Sequence, residues 1–326
     1  MNAKKVIIDC DPGIDDTLAL MLALSSPELD VLGITVVSGN VPVEKGAENA
    51  LKVLDWMNRK DIPVYLGEPL PLIRNYVDAM DTHGEDGLGE SCYPTITDIR
   101  PHTNAVGFLR DTLLHTPHVS IIALGPLTNL ARLYQTSPEA FVRIEEMVSM
   151  GGNYKSHGNC SPVAEYNYWC DPDAAHIVYE AFASMEGKLL HMIGLDVTRQ
   201  IVLTPDILQY MRYSNPVMGE RITNITKFYL DFHWKQEGII GCVINDPLAV
   251  AYFIDRNLCQ GFASYTTVET QGISIGQTLV DTYHFWDKPD NSYILTQTDA
   301  YGFMKFFLQR VINAPESEIE RILKTI

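Results

Sequence analysis

Residues 5–16 read KVIIDCDPGIDD, and this stretch decides the fold. The β-branched run at 5–9 is typical of a parallel strand that is buried on both faces. Asp15 and Asp16 stand just before the apolar residues 18–24, which have a helix-like composition. Four aspartates crowd into residues 9–16 although like charges repel. The crowding indicates a bound cation, protonated carboxyl groups or merely a solvated turn.

Strand and helix patterns alternate along the rest of the chain. Further strands are predicted at 31–38, 119–124, 147–150 and 189–197, and helices at 43–57, after Pro126 and at 171–182. This alternation predicts an α/β fold, a doubly wound and mostly parallel sheet flanked by helices. After Gly261 the pattern changes to a small antiparallel hairpin or meander, and residues 299–326 are predicted to be helical. The polar stretch 67–103 is predicted to be an active-site loop, and residues 1–326 a single domain.

Composition excludes several classes of protein. The chain has 326 residues, of which 46% are hydrophobic and 20% charged. A chain of this length and composition can form a large hydrophobic core that needs no disulfide bonds for stability. A net charge of −17 argues against nucleic-acid binding, which needs clustered lysine and arginine. No apolar run is long enough to span a membrane, and the N-terminus is not typical of a signal peptide. Six cysteines without a CxxC pair indicate reduced thiols, so we expect a soluble, cytoplasmic protein.

Polar residues follow several of the predicted strands, and the carboxyl ends of parallel strands form one rim. Each aspartate also has a plainer interpretation: Asp11 as a turn residue, Asp15 and Asp16 as helix-dipole partners, and Asp246 as a helix cap before Pro247. A cluster of carboxylates on one rim would nevertheless need a cation. Oxygen ligands without clustered histidine or cysteine favour Ca²⁺ or Mg²⁺ over zinc.

Four segments carry a family resemblance: DCDPGIDD at 9–16, ALGPLTNLA at 123–131, GNCSPVAEYNYWCDPDAAHIV at 158–178 and INDPLAV at 244–250. Together they resemble the inosine-uridine preferring nucleoside hydrolases, nearly from end to end. The resemblance implies a Ca²⁺ ion held by Asp11, Asp16, Asp246 and the backbone carbonyl of Thr128, with Asp11 as the general base. It also implies ribose contacts from Asp15, Asn40, Asn159, Glu165 and Asn167, with Met150 lining the pocket. Family members are usually dimers or tetramers, so a homo-oligomer is expected.

The expected chemistry is hydrolysis of the N-glycosidic bond of a small-molecule ribonucleoside. Positive charge builds on the ribose in the transition state, and carboxylates near the ring stabilise it. Many relatives carry a histidine before the last metal aspartate, where this chain has Asn245. An amide cannot act as a general acid, so purine turnover by that route is in doubt and pyrimidine nucleosides are favoured.

Two histidines are candidate substitutes for the missing acid. His233, in a segment with Tyr229 and Trp234 that could stack on a base, is the candidate for catalysis. His83, on the long loop, is the candidate for substrate contact, although each histidine has packing as its alternative. Cys10, between two acids, is expected to pack rather than to react, and Asp9 to support the metal loop.

Two rival functions stay open from sequence. The D-C-D triplet at 9–11 echoes the D-x-D signature of haloacid-dehalogenase-like phosphohydrolases, which use an aspartyl nucleophile, but Gly13 stands where Thr or Val is expected. The other rival is a non-catalytic, Ca²⁺-dependent nucleoside- or ribose-binding protein, which Asn245 makes reasonable.

Overall fold

The computed structural model describes residues 3–324, and the last two residues of the predicted C-terminal helical segment lie outside this range. The strands are β1 (Lys4–Cys10), β2 (Leu29–Val36), β3 (Val64–Leu66), β4 (His102–Thr103), β5 (Val119–Ala123), β6 (Met147–Met150), β7 (Leu190–Ile193), β8 (Val202–Leu203), β9 (Cys242–Val243), β10 (Cys259–Val268), β11 (Thr278–Asp281) and β12 (Ser292–Thr298). Ten of them form one sheet in the order β11-β10-β12-β7-β6-β5-β1-β2-β3-β4, and β8 and β9 form a separate antiparallel pair.

The helices lie between the strands, as the alternating pattern predicted. They are α1 (Ile14–Leu24), α2 (Val43–Trp56), α3 (Met80–His83), α4 (Ala105–His115), α5 (Thr128–Thr136), α6 (Pro138–Phe141), α7 (Tyr166–Cys170), α8 (Pro172–Ala183), α9 (Leu195–Thr198), α10 (Pro205–Ser214), α11 (Pro216–Glu237), α12 (Asp246–Ile254), α13 (Ala300–Val311) and α14 (Glu316–Leu323). Two short 3₁₀ turns lie at Arg256–Leu258 and Gly272–Ser274. None of the helices within residues 3–324 has the length and apolar character required to cross a membrane.

The predicted sheet is confirmed, with two corrections. In the sheet order, every neighbouring pair from β4 to β12 is parallel. At the other end of the sheet, β10 pairs antiparallel with both β12 and β11. β12 does not stay within a hairpin, because it also pairs in parallel with β7. The predicted strand at 189–197 is only half right: it ends at Ile193, and after the extended Gly194 the chain turns into α9.

Apolar layers cover both faces of the central sheet. In β1, Val6 and Ile8 pack into one core cluster and Ile7 into the other, and all three are fully buried. In β5, Ile122 and Ile121 divide in the same way. This two-sided burial explains the unbroken β-branched run in the sequence. It also leaves the carboxyl ends of β1, β2, β5 and β6 as the rim where polar residues collect.

Candidate active site

Four aspartates meet where β1 ends and α1 and α12 begin. Asp11, Asp15, Asp16 and Asp246 are all buried, with at most 5% of any of them exposed. One carboxylate oxygen each of Asp15, Asp16 and Asp246 lie within 4.8 Å of one another. Asp16 also fixes the loop: its Oδ1 accepts from the backbone N–H of Asp11 at 3.1 Å and its Oδ2 from that of Gly13 at 3.0 Å.

The Asp11 carboxyl group is held in a slot between two glycines. Its Oδ2 accepts from the backbone N–H of Asn40 at 2.7 Å, whereas its Oδ1 is buried without a hydrogen-bond partner. A Cβ atom added at Gly39 would lie 2.7 Å from Asp11 Cγ, and one added at Gly125 would lie 2.9 Å from the same atom. Neither position accepts a side chain unless Asp11 moves, so both glycines are needed for its placement.

The pKa values of three carboxyl groups of the cluster are raised in the absence of a cation. Burial raises the pKa of Asp16 to about 7, with the charge of Asp15 as the next cause. Burial raises the pKa of Asp11 well above its usual range, and so does the charge of Asp16. The pKa of Asp246 rises in the same way, from burial and then from the charge of Asp15. An orphaned buried oxygen on Asp11 and four crowded acids fit a divalent cation with hard oxygen ligands.

Asp15 is surrounded by polar side chains from distant segments. Its Oδ2 accepts from the Tyr229 hydroxyl at 3.3 Å and from Asn245 Nδ2 at 3.0 Å. Asn245 Nδ2 also donates to the Tyr229 hydroxyl oxygen at 3.4 Å, and Asn245 Oδ1 is left buried without a partner. Asn40 Nδ2 donates to Asp16 Oδ2 at 3.0 Å, which ties the end of β2 to the cluster.

Glu165 and Asn167 form the opposite wall. Glu165 Oε1 accepts from the Asn167 N–H, and Oε2 accepts from the N–H groups of Gly152 and Tyr168, at 2.8–3.3 Å. Burial raises the pKa of Glu165 to about 7 even though these three backbone donors oppose the shift. Asn167 Nδ2 donates to the carbonyl oxygens of Leu124 and Met150, so its Oδ1 is the atom left for a ligand.

These walls enclose a cavity of about 470 Å³. All eight predicted substrate residues line it, and so do His233 and Asp246; the eight are Asp15, Asn40, His83, Met150, Asn159, Glu165, Asn167 and Asn245. Asn159 is the exposed member of this set, and its Oδ1 accepts from the Tyr166 N–H at 2.9 Å. Trp234, one of the two expected stacking residues, is 59% exposed and does not line the cavity, whereas Phe232 does.

Thr128 is not among the described residues that line this cavity. It is the first residue of α5, and its hydroxyl donates to Asp171 Oδ2 at 2.7 Å. The cavity is lined instead by Leu124, at the end of β5, whose following residue Gly125 abuts Asp11. Which carbonyl in ALGPLTNLA faces the rim could not be inferred from the side chains, because any residue can present its backbone.

The two histidines differ in which ring nitrogen carries the proton, as their hydrogen bonds assign it. His83 Nδ1 accepts from the backbone N–H of Ile14 at 3.1 Å, so its proton is on Nε2. His233 Nδ1 faces the carbonyl oxygen of Tyr229 at 2.9 Å, so it donates and Nε2 keeps a lone pair. Both rings are buried, and burial lowers the pKa of each. The Tyr229 ring lies between them, with centroid distances of 5.3 and 4.4 Å.

This arrangement of acids and amides occurs in a chain whose sequence matches the profile of the inosine-uridine preferring nucleoside hydrolases over residues 6–305. The chain belongs to this family. A pyrimidine-specific ribonucleoside hydrolase of Escherichia coli O81 (strain ED1a) is 36% identical over 313 residues, which cover 95% of this chain and 98% of the relative. The protein is therefore a nucleoside N-ribohydrolase, which the sequence already favoured over the two rivals, a phosphohydrolase and a non-catalytic binding protein.

Solved structures of nucleoside hydrolases share the whole fold. A purine-preferring ribonucleoside hydrolase from Gardnerella vaginalis superposes with a TM-score of 0.87 at 31% identity, covering 95% of this chain and 98% of its own. A plant nucleoside hydrolase also gives a TM-score of 0.87, at 32% identity, covering 96% and 99% of the two chains. The Gardnerella vaginalis enzyme is named as purine-preferring and the Escherichia coli relative as pyrimidine-specific, so the shared fold does not by itself set the base preference.

Several cavity residues of this nucleoside hydrolase were not singled out from the sequence. They are Asp78, Asp81, Tyr166, Trp169, Arg199, Phe232 and Glu237. Tyr166 stands between Glu165 and Asn167 and could have been suspected; its hydroxyl oxygen lies 2.8 Å from the carbonyl oxygens of both Gly39 and Val77, to either of which it can donate its one hydrogen. Asp9 Oδ1 accepts from the Thr35 hydroxyl and from Asn129 Nδ2.

Proposed function

We propose that this enzyme hydrolyses the N-glycosidic bond of ribonucleosides to free base and ribose in a Ca²⁺-dependent reaction, with pyrimidine nucleosides favoured. The observation that carries the proposal is the buried group of four aspartates at the sheet rim, three of which bring oxygens within 4.8 Å of one another. Family membership supplies the reaction class. We further propose that residues 1–326 form one domain, since β1 and β12 belong to the same sheet.

The residues that would hold Ca²⁺ are Asp11, Asp16 and Asp246, together with a backbone carbonyl. We place Leu124 in that last role instead of Thr128, because Leu124 lines the cavity and its peptide adjoins Asp11. Asp15 also belongs to the oxygen cluster and bridges from it to Tyr229 and Asn245. When bound, the ion would offset the clustered charge, hold sugar hydroxyls and make a water more acidic.

Asp11 would be the general base. Its Oδ1 has no protein partner, whereas Oδ2 is held by the Asn40 N–H, so Oδ1 is free to accept a proton from the attacking water. Burial raises the pKa of Asp11 in the absence of an ion, and a bound cation would act in the opposite direction and keep the carboxylate ionised. The slot between Gly39 and Gly125 would keep this oxygen aimed at the sugar.

The remaining polar residues would bind ribose and stabilise the positive charge that develops on it. Asn167 Oδ1 is left to accept from a hydroxyl, because its amide hydrogens are used by Leu124 and Met150. Asp15 and Glu165 place negative charge beside the ring, which favours the oxocarbenium-like transition state over the neutral ground state. Asn40, Asn159 and Met150 would complete the sugar pocket.

The base would leave next to the two histidines. His83 would donate from Nε2, and it cannot also donate from Nδ1, which faces the Ile14 N–H. His233 would be the proton carrier, since protonation at Nε2 is compatible with its Nδ1 bond to Tyr229. Asn245 cannot supply a proton, and the 36% identical relative is named as pyrimidine-specific, so both support a preference for pyrimidines.

We also propose a cytoplasmic homo-oligomer, a dimer or tetramer, that serves nucleoside salvage. All six cysteines are free, which suits a reducing compartment. Light scattering on the purified protein would give the mass of the assembly, and a monomer at micromolar concentration would contradict the oligomer.

The test of the activity is a panel of ribonucleosides incubated with and without a chelator, with free ribose as the readout. We expect uridine and cytidine turnover, little inosine turnover, and loss of all three in chelator. Asp11→Asn should reduce uridine turnover at least about 10²-fold. Asp30→Asn is the matched control, because Asp30 is exposed at the start of β2, away from the rim. Full activity of Asp11→Asn would remove the proposed base.

A further inference from the structure

We propose that Tyr76 and Tyr166 are positioning residues for the hydrolysis, because their hydroxyl groups hold the peptide that aims the Asp11 carboxylate. Both act through Asp11, so the proposal rests on its proposed role as the general base. The peptide joins Gly39 to Asn40, and hydrogen bonds engage it at both of its polar ends.

The N–H end of this peptide holds Asp11. The Asn40 N–H donates to Asp11 Oδ2 at 2.7 Å, whereas Asp11 Oδ1 is buried without a partner. Because Oδ1 and Oδ2 turn together about the Cβ–Cγ bond, the direction of this N–H sets the direction of Oδ1. Oδ1 is the atom that would take the proton of the attacking water.

The carbonyl end of the same peptide lies against two phenol groups. The Tyr76 hydroxyl donates to the Gly39 oxygen at 2.9 Å, and the Tyr166 hydroxyl lies 2.8 Å from the same oxygen. A carbonyl oxygen has two lone pairs and can accept from both. Tyr76 lies between β3 and α3, and Tyr166 is the first residue of α7, so two distant segments meet at one atom.

The peptide transmits these bonds to Asp11. A peptide group is planar and stiff, so its two ends cannot turn independently, and bonds that fix the Gly39 oxygen also fix the Asn40 N–H. Hydrogen bonds to the carbonyl oxygen also draw electrons from the nitrogen and make the N–H a stronger donor. The two phenols therefore orient and strengthen the bond to Asp11 at the same time.

The two tyrosines differ in their other contacts. Tyr166 lines the cavity, and its hydroxyl oxygen also lies 2.8 Å from the Val77 carbonyl oxygen, so one hydrogen serves two acceptors. Tyr76 is not among the described residues that line the cavity. A slower Tyr76→Phe enzyme would therefore not have lost a substrate contact there. When one phenol is removed, the other still reaches the Gly39 oxygen.

The test measures kcat and KM for ribose release from uridine, with the full-length protein in saturating Ca²⁺. Loss of one neutral hydrogen bond to the peptide should lower kcat in Tyr76→Phe about two- to tenfold. KM should stay within about twofold, because the bond orients the base and does not touch the substrate. The double variant with Tyr166→Phe should lose more than the product of the two single losses, because neither phenol is left for Gly39.

Tyr293→Phe is the matched control. The Tyr293 hydroxyl also donates to a glycine carbonyl oxygen, that of Gly261, at 2.9 Å, and Tyr293 is not among the described residues that line the cavity. This variant should lower the urea midpoint about as much as Tyr76→Phe and keep the normal kcat. A fall in kcat in Tyr76→Phe alone would then report on the position of the base and not on stability.

Asp11→Asn separates an effect through the base from every other effect. In that background Tyr76→Phe should change the residual kcat less than about twofold, because the group through which it acts is gone. Normal kcat in Tyr76→Phe, or the same fold loss with and without Asp11, would overturn this inference and keep the proposed function. A double tyrosine variant that is no slower than Tyr166→Phe would overturn it as well. Full activity of Asp11→Asn would overturn the proposed base and this inference together.

Discussion

A single methyl group at Gly39 should disable the enzyme without unfolding it. Alanine there would place its Cβ 2.0 Å from Asp11 Oδ2, whereas ordinary van der Waals contact begins at 3.4 Å. The Asp11 carboxyl group must therefore move by about 1.4 Å, and its Oδ2 bond to the Asn40 N–H is lost or stretched. Misplacement of a reacting group by about 1 Å can cost about 10²-fold in rate, so we expect a loss of roughly that size in uridine turnover.

The assay is kcat for ribose release from uridine beside the midpoint of urea unfolding. Gly187→Ala is the contrasting variant, because its new Cβ meets nothing within 4 Å but its φ of +74° disfavours a side chain. That variant should lose about 1–2 kcal/mol of stability and keep its turnover. A Gly39→Ala enzyme with more than half of the normal kcat would refute the role assigned to the slot around Asp11.

Three further outcomes test other parts of the structure. Burial, followed by the charge of Arg256, lowers the pKa of His191 from 6.5 to about 4, so the unfolded chain binds a proton that the native state refuses in this range. The free energy of unfolding should therefore be highest above pH 6.5 and decrease toward pH 4. The decrease should be at most about 3 kcal/mol, and smaller because His191 is partly exposed. In His191→Gln the urea midpoint should depend less on pH over this range, and an unchanged dependence would contradict this. In Glu165→Gln, the amide NH₂ group must face at least one backbone N–H from which the carboxylate accepts a hydrogen bond. The melting temperature should therefore decrease by the equivalent of about 1–3 kcal/mol. An unchanged melting temperature would argue against three backbone hydrogen bonds to Glu165. 2′-Deoxyuridine should be turned over at least about 10²-fold less efficiently than uridine, and equal rates would count against hydroxyl binding by the acid cluster.

The fold was largely predictable because its signals are local and repeated. A β-branched run such as 5–9 fits only a strand buried on both faces, and the alternation with helices fits a parallel sheet. What was missed depends on long-range pairing. The partner of β12 is β7, about a hundred residues earlier in the chain, and no local pattern records that choice.

The site was predictable to the extent that side chains in the family motifs carry it. The eight predicted substrate residues line one cavity because their segments end at the same rim. The parts of the site that could not be predicted are those that depend on the backbone or on the orientation of a side chain. Thr128 lies on α5 with its hydroxyl on Asp171, and Trp234 is exposed because α11 turns Phe232 and His233 inward instead. The hydrogen-bonded orientation of Asn245 likewise depends on Asp15 and Tyr229, which are remote in sequence.

Calcium binding to the acid cluster is the central claim, and calorimetry at pH 6 on chelator-treated protein tests it most directly. Near this pH, Asp16, with a pKa of about 7, holds a proton in the absence of an ion, and a cation must displace it. Titration in two buffers of different ionisation enthalpy should show one Ca²⁺ bound per chain and release of about one proton or more. Asp246→Asn should weaken binding strongly. No saturable heat at millimolar Ca²⁺, or binding that Asp246→Asn leaves intact, would contradict the account.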